Sequence, residues 1–198
     1  MIEYRTIQQE SQGLYKEKGS RFIAVAVPAG SLDEVKAALE KLRKQYHDAR
    51  HHCYAYRIGE VPYESRYQDD GEPSGTAGKP IYGQIQSFEL TDILIVVIRY
   101  FGGVKLGTGG LIQAYRAAAR DAIENSIIIP RTFYRTIEIR FDYVKMNTVM
   151  KVIKDESLHI LRQDSGEQCS MLLQISTGNF DAVIKKISLL NLSGLTVI

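Results

Sequence analysis

Residues 92–123 read DILIVVIRYFGGVKLGTGGLIQAYRAAARDAI, and this stretch decides the architecture. Residues 92–99 are an almost unbroken apolar run rich in β-branched side chains. A run without polar alternation predicts a central strand covered on both faces. Glycines follow at 102, 103, 107, 109 and 110, and residues 111–123 then predict a helix with alanines on its packing face. A strand buried on both sides and joined directly to a helix calls for a mixed fold in which helices cover a sheet.

Working outward, residues 4–8 and 21–27 predict strands, the second ended by Pro28. Ser31 followed three residues on by Glu34 is a capping box, and Leu32, Val35, Leu39 and Leu42 continue one helical face to about Tyr46. Residues 53–58 predict a strand. Residues 68–80, QDDGEPSGTAGKP, are a loop by composition. A short helix is expected over 81–88, with Ser74 or Thr76 able to cap it. Beyond this the pattern changes. Residues 136–141 alternate as a strand, Asp142 can cap a helix, and Phe141 and Met146 are placed as a hydrophobic staple. Val149, Val152 and Ile153 continue that helix. Strands over 157–161 and 171–176 flank a turn at Ser165-Gly166. Asn179 can cap a helix carrying Phe180, Val183, Ile184 and Ile187, and 192–197 is a last strand. This order, β-α-β-β-α-β, is ferredoxin-like. The expectation is an α+β chain of two domains, 1–129 and 130–198, packed together across a short junction at Ile129-Pro130-Arg131.

Composition narrows the function classes. Of 198 residues 44% are hydrophobic and 24% charged, an ordinary globular balance. The formal net charge of +2 gives no global attraction to nucleic acid or anionic membrane, so any such binding needs a local patch. Two cysteines, Cys53 and Cys169, do not make a disulfide framework, and a reducing compartment is expected. The opening MIEYRTIQQE has no apolar leader core. The run at 93–98 is too short to span a bilayer. A cytoplasmic protein without a membrane partner is the expectation.

Three segments concentrate unusual residues. In 99–110, Arg99, Tyr100, Gly102, Gly103, Lys105, Gly107, Gly109 and Gly110 lead from a strand into a helix. Glycines let a ligand approach the backbone, and a helix N-terminus presents N–H groups and partial positive charge. The turn therefore suits a phosphate, from a nucleotide or a nucleic-acid backbone. It lacks the Gly-Lys-Ser/Thr of a P-loop and the spacing of a dinucleotide fingerprint. The same glycines also serve a tight turn and close helix packing. In 69–80, Asp69, Asp70 and Glu72 can hold a hard cation or divide acid and base roles, or bond to nearby amides and shape a surface. Lys79 closes this segment. In 49–56, ARHHCYAY, His51, His52 and Cys53 cluster with His47 just upstream, but neighbouring His51 and His52 point to opposite faces of a strand, which argues against zinc. No metal or other cofactor is expected. Lys79, Arg99, Lys105, Arg116 and Arg120, interleaved with Tyr82, Tyr100, Phe101 and Tyr115, make a basic and aromatic region suited to RNA or an acidic partner.

Together SRFIA at 20–24, His51-x-Cys53-Tyr54-Ala55-Tyr56, DDGEPSGTAGKP at 69–80 and RYFGGVKLGTGGLIQAY at 99–115 resemble the YigZ/IMPACT family. The resemblance spans roughly residues 1–125. It implies an N-terminal domain like the second domain of a small-subunit ribosomal protein, a fold shared with elongation factor G and some small-molecule kinases. It also implies a C-terminal domain similar to the last domain of elongation factor G. Eukaryotic relatives regulate translation by binding the large activator of the amino-acid-starvation kinase. The resemblance carries over no catalytic residue. It marks Asp69, Asp70, Glu72, Lys79, Arg99, Tyr100, Lys105 and the motif glycines as the family signature. The expected function is a non-enzymatic regulator that contacts RNA, the ribosome or a translation-related protein through that surface. The alternative is a phosphate- or nucleotide-binding enzyme using the 102–110 turn with Asp69, Asp70 and Glu72.

Overall fold

Residues Ile93–Tyr100 form a strand in which all but the last residue are buried, with helices packed on both of its faces. The computed structural model describes residues 3–198, so Met1 and Ile2 of the opening segment lie outside the described residues. In chain order the elements are β1 (Glu3–Ile7), β2 (Ser11–Glu17), β3 (Ser20–Pro28), α1 (Leu32–Gln45), β4 (His51–Ile58), β5 (Glu64–Gln68), α2 (Gly78–Ser87), β6 (Ile93–Tyr100), α3 (Gly107–Glu124), β7 (Ile128–Thr132), β8 (Tyr134–Asp142), α4 (Met146–Asp155), β9 (His159–Asp164), β10 (Gln168–Ser176), α5 (Phe180–Ser188) and β11 (Gly194–Val197). The fold is α+β. The chain divides into two compact units, Tyr4–Arg131 and Thr132–Ile198, with Glu3 grouped with the second.

In the larger unit an antiparallel sheet runs β2-β3-β6-β4-β5. Alternation along β6 sends Ile93, Ile95 and Val97 to the face covered by α2 and α3, and Leu94, Val96 and Ile98 to the face covered by α1. Ser31 caps α1 by accepting from the Glu34 amide at 3.3 Å. The reciprocal bond is displaced by one residue, because Glu34 accepts from Gly30 N at 2.7 Å.

Strands β2, β5 and β7 were not expected from the sequence. Every residue of β5 is exposed, so no apolar alternation marks it. Strand β2 carries Gly13, whose added Cβ would fall 2.3 Å from Ala122 N, and the glycine is what lets α3 lie against the sheet there. Strand β7 contains Ile129-Pro130-Arg131, where a connector was expected, and pairs with β1.

The smaller unit follows β-α-β-β-α-β from β8 to β11, and its sheet runs β11-β8-β10-β9, all antiparallel. Ile137, Phe141, Met171 and Leu173 face Val149, Val183 and Ile187 of α4 and α5 in its core. Asp142 does not cap a helix: its carboxylate accepts from Gln168 Nε2 at 2.8 Å, and α4 starts only after a 3₁₀ turn at Tyr143–Lys145. Asn179 precedes α5 without a side-chain capping bond. No helix among the described residues is long and apolar enough to cross a membrane.

Candidate functional site

The 69–77 loop is held by its own carboxylates. Asp69 accepts from Gly75 N at 2.8 Å, Ala77 N at 3.0 Å and Gly78 N at 2.8 Å. It serves α2 as an acceptor from eight residues upstream, where Ala77 at the N-cap has no side chain to offer. An anion there also suits the positive end of the helix. Thr76, one of the two expected caps, instead donates its hydroxyl to Pro73 O at 2.7 Å. Asp70, at φ 46°, accepts from His52 N at 2.7 Å and pairs with Arg43 at 3.6 Å. Its carbonyl lies 2.8 Å from His51 Nδ1. A carbonyl only accepts, so Nδ1 carries a proton.

Glu72 turns inward. Its side chain is 4% exposed, and one oxygen accepts from Arg99 Nη1 at 2.6 Å and from the Tyr115 hydroxyl at 2.8 Å. Arg99 is 8% exposed at its side chain, and its guanidinium lies 5.4 Å from the Phe22 ring centroid and 5.6 Å from that of Phe101. Its Nε is buried and has no hydrogen-bond partner among the described residues. Below the pair, Cys53 Sγ approaches Asp69 O at 2.9 Å and the Tyr115 oxygen at 3.2 Å. Burial pushes both the Cys53 thiol and the Tyr115 phenol well above their ordinary ranges. Cys53 is a free, fully buried thiol, and its burial disfavours the thiolate, the form that reacts as a nucleophile.

The glycine turn lies against this ion pair. A Cβ on Gly102 would sit 1.9 Å from the Gly19 carbonyl carbon, so only glycine lets the turn meet the β2–β3 corner. Gly107 opens α3 at φ 71°. Leu106 at the N-cap offers no side-chain acceptor, and the first turn, which includes Gly109 and Gly110, holds no acid. The amides of an 18-residue helix thus end in a cleft of about 470 Å³. Arg50, His51, Glu72, Arg99, Phe101, Lys105, Gly107 and Thr108 line it. Phe101 is 56% exposed. Arg50 and Lys105 have no ion pair among the described residues.

Of the residues singled out from sequence, Glu72, Arg99, Phe101, Lys105 and Gly107 come together in this cleft. Asp69 and Asp70 hold the loop and do not line it. Tyr100, one residue past Arg99, points to the other face of the sheet, where its hydroxyl donates to Asp48 at 2.7 Å. Lys79 lines a different groove with Arg116, and Arg120 pairs with Glu124 at 2.7 Å. The basic region is therefore divided, with its most central cation neutralised. Arg50, Thr108 and a cleft role for His51 were missed. Their signal is the register that sets His51 opposite Arg99, which spacing along one strand does not carry. Among the described residues no group of three or more His, Cys, Asp or Glu is placed to hold a metal ion.

Residues 18–123, more than half of the chain and the whole of the cleft, match the Impact N-terminal domain. The chain belongs to the IMPACT family. An IMPACT family member of Haemophilus influenzae is 35% identical over 190 residues, covering 92% of this chain and 89% of its own length. The IMPACT family member YigZ of Escherichia coli is 33% identical over 162 residues, covering 80% of this chain and 78% of its own. A crystal structure of a hypothetical protein superimposes with a TM-score of 0.73 at 26% identity, across 100% of this chain and 97% of that one. The IMPACT match begins at residue 18, two residues before β3, and ends inside α3, so it frames the sheet and the two glycine-rich segments.

Proposed function

We propose that this IMPACT family chain is a non-enzymatic binding protein linked to translation, and that it contacts the phosphates of RNA, free or in the ribosome, through the 99–110 turn. The observation that carries this is the N-terminus of α3, without a side-chain cap and opening beside Lys105 and Arg50, which have no ion pair among the described residues, in a cleft where Glu72 is already bonded to Arg99. Helix-end amides and unpaired cations favour phosphate oxygens. The link to translation comes from the resemblance of the signature segments to the eukaryotic regulators. The alternative enzyme needed Asp69, Asp70 and Glu72 as acids, bases or cation ligands. Each of them is bonded into the fold, two to backbone amides and one to Arg99 and Tyr115.

The test is copurification after gentle lysis, with and without ribonuclease. The expected result is ribosomal RNA that comes down with the protein and is lost on nuclease treatment. A single protein partner retained after nuclease, with no RNA, would replace this reading with that of a protein-interaction module.

A further inference from the structure

A second groove borders the same 69–77 loop, with Gly75 in its wall. Its volume is about 790 Å³, and Tyr67, Lys79, Tyr82, Gly83, Ile112 and Arg116 form most of its wall. Tyr67 stands on β5, an edge strand exposed along its whole length, and is itself 47% exposed. Its ring meets that of Tyr82 with centroids 5.9 Å apart and planes 33° from parallel. Tyr82 is anchored on α2, so Tyr67 is braced from one side while nearly half of it faces solvent. A Cβ on Gly83 would meet nothing within 4 Å, so no side chain of α2 fills the groove at that turn. Lys79 and Arg116 are exposed and have no ion pair among the described residues, and no Asp or Glu lines the groove.

The two concavities share a wall. Pro73 faces the cleft and Gly75 the groove, two positions apart in one loop; on α3, Leu111 faces the cleft and Ile112 the groove. A chain that places one phosphate at the start of α3 therefore reaches the tyrosines by crossing that loop.

An acidic peptide would use the two cations but not the ring pair, and an apolar peptide the reverse. A single-stranded nucleic acid uses both, stacking a base on an aromatic platform while its phosphates follow the cations. Gln84 and Gln86 also line the groove, and side-chain amides can meet base edges. A duplex cannot use the platform, because its bases are already stacked on each other. We infer that the groove seats an unpaired base of single-stranded RNA whose phosphates continue to the N-terminus of α3, an inference that rests on the RNA reading of the cleft.

Fluorescence anisotropy on the full chain tests this, with a labelled oligoadenylate of about ten nucleotides, within the usual site sizes, and with the same strand annealed to its complement. Tyr67→Ala is expected to weaken single-strand binding by about tenfold, a typical loss for one stacked base. Tyr67→Phe keeps the ring and is expected to bind like the wild type, and duplex binding is expected to change with neither. If Tyr67→Ala binds the single strand as well as the wild type while Lys105→Glu loses affinity, the groove proposal is overturned and the RNA reading stands. Equal losses on strand and duplex overturn the stacking role. A wild type that binds neither form at low salt overturns both readings.

Discussion

Glu72 joins the loop, the central strand and α3 through a single oxygen, which accepts from Arg99 and Tyr115. Both members of the ion pair are nearly out of solvent. Removing one partner of a buried pair costs about 3–5 kcal/mol, because the other charge is left uncompensated. Glu72→Ala is expected to lose that much in urea unfolding, and a loss below about 1 kcal/mol would mean that Arg99 finds another partner. His52 offers a pH test. It is 7% exposed, its Nε2 lies 3.1 Å from Tyr46 O, and burial lowers its pKa, against a smaller opposing pull from Asp70. The folded state holds the neutral ring, so its contribution is complete above an unfolded pKa of about 6.5 and is lost as pH falls toward and through the lower folded value. Urea midpoints at pH 7.5 and 5.5 should differ more for the wild type than for His52→Asn. The charges of Glu72 and Arg99 were visible in the sequence as members of two motifs, but not their pairing. That depends on a loop and a strand 27 residues apart being brought to one point.

The elements that were legible bury one whole face or two. Strand β6, with its continuous apolar run, and α1, with its four leucines and valines at helical spacing, are where the pattern put them. Strands β2 and β5 stand at the sheet edges, and β5 has no buried face to write into the sequence. Helix α2 begins at Gly78, earlier than Ile81, because its acceptor is Asp69 and lies outside any local capping pattern. Asp69→Ala is expected to cost about 1–2 kcal/mol, the range for a lost cap, with Asp69→Asn between it and the wild type in thermal unfolding. The glycine turn divides in the same way. Gly102→Ala forces a Cβ to within 1.9 Å of the Gly19 carbonyl carbon, so a loss of about 3 kcal/mol or more is expected. At Gly109 an added Cβ meets nothing within 4 Å, and Gly109→Ala should instead match or exceed the wild type, since alanine is favoured in a helix by about 1 kcal/mol.

At the scale of the whole molecule the near-neutral charge hides a local asymmetry. The net charge is +2, yet the acids nearest the cleft point inward or bond to backbone, while Arg50 and Lys105 have no ion pair among the described residues. The segment shared with the Impact N-terminal domain, 18–123, contains this asymmetry, and the smaller unit lies beyond it. The central claim is that the start of α3 holds RNA phosphates. The direct measurement is the affinity for an oligonucleotide across a series of salt concentrations, for the wild type and Lys105→Ala. Log affinity should fall linearly with log salt, and Lys105→Ala should weaken binding at every salt and make the slope shallower by about one. Affinity that does not vary with salt, or a Lys105→Ala slope equal to that of the wild type, would contradict phosphate binding at this turn.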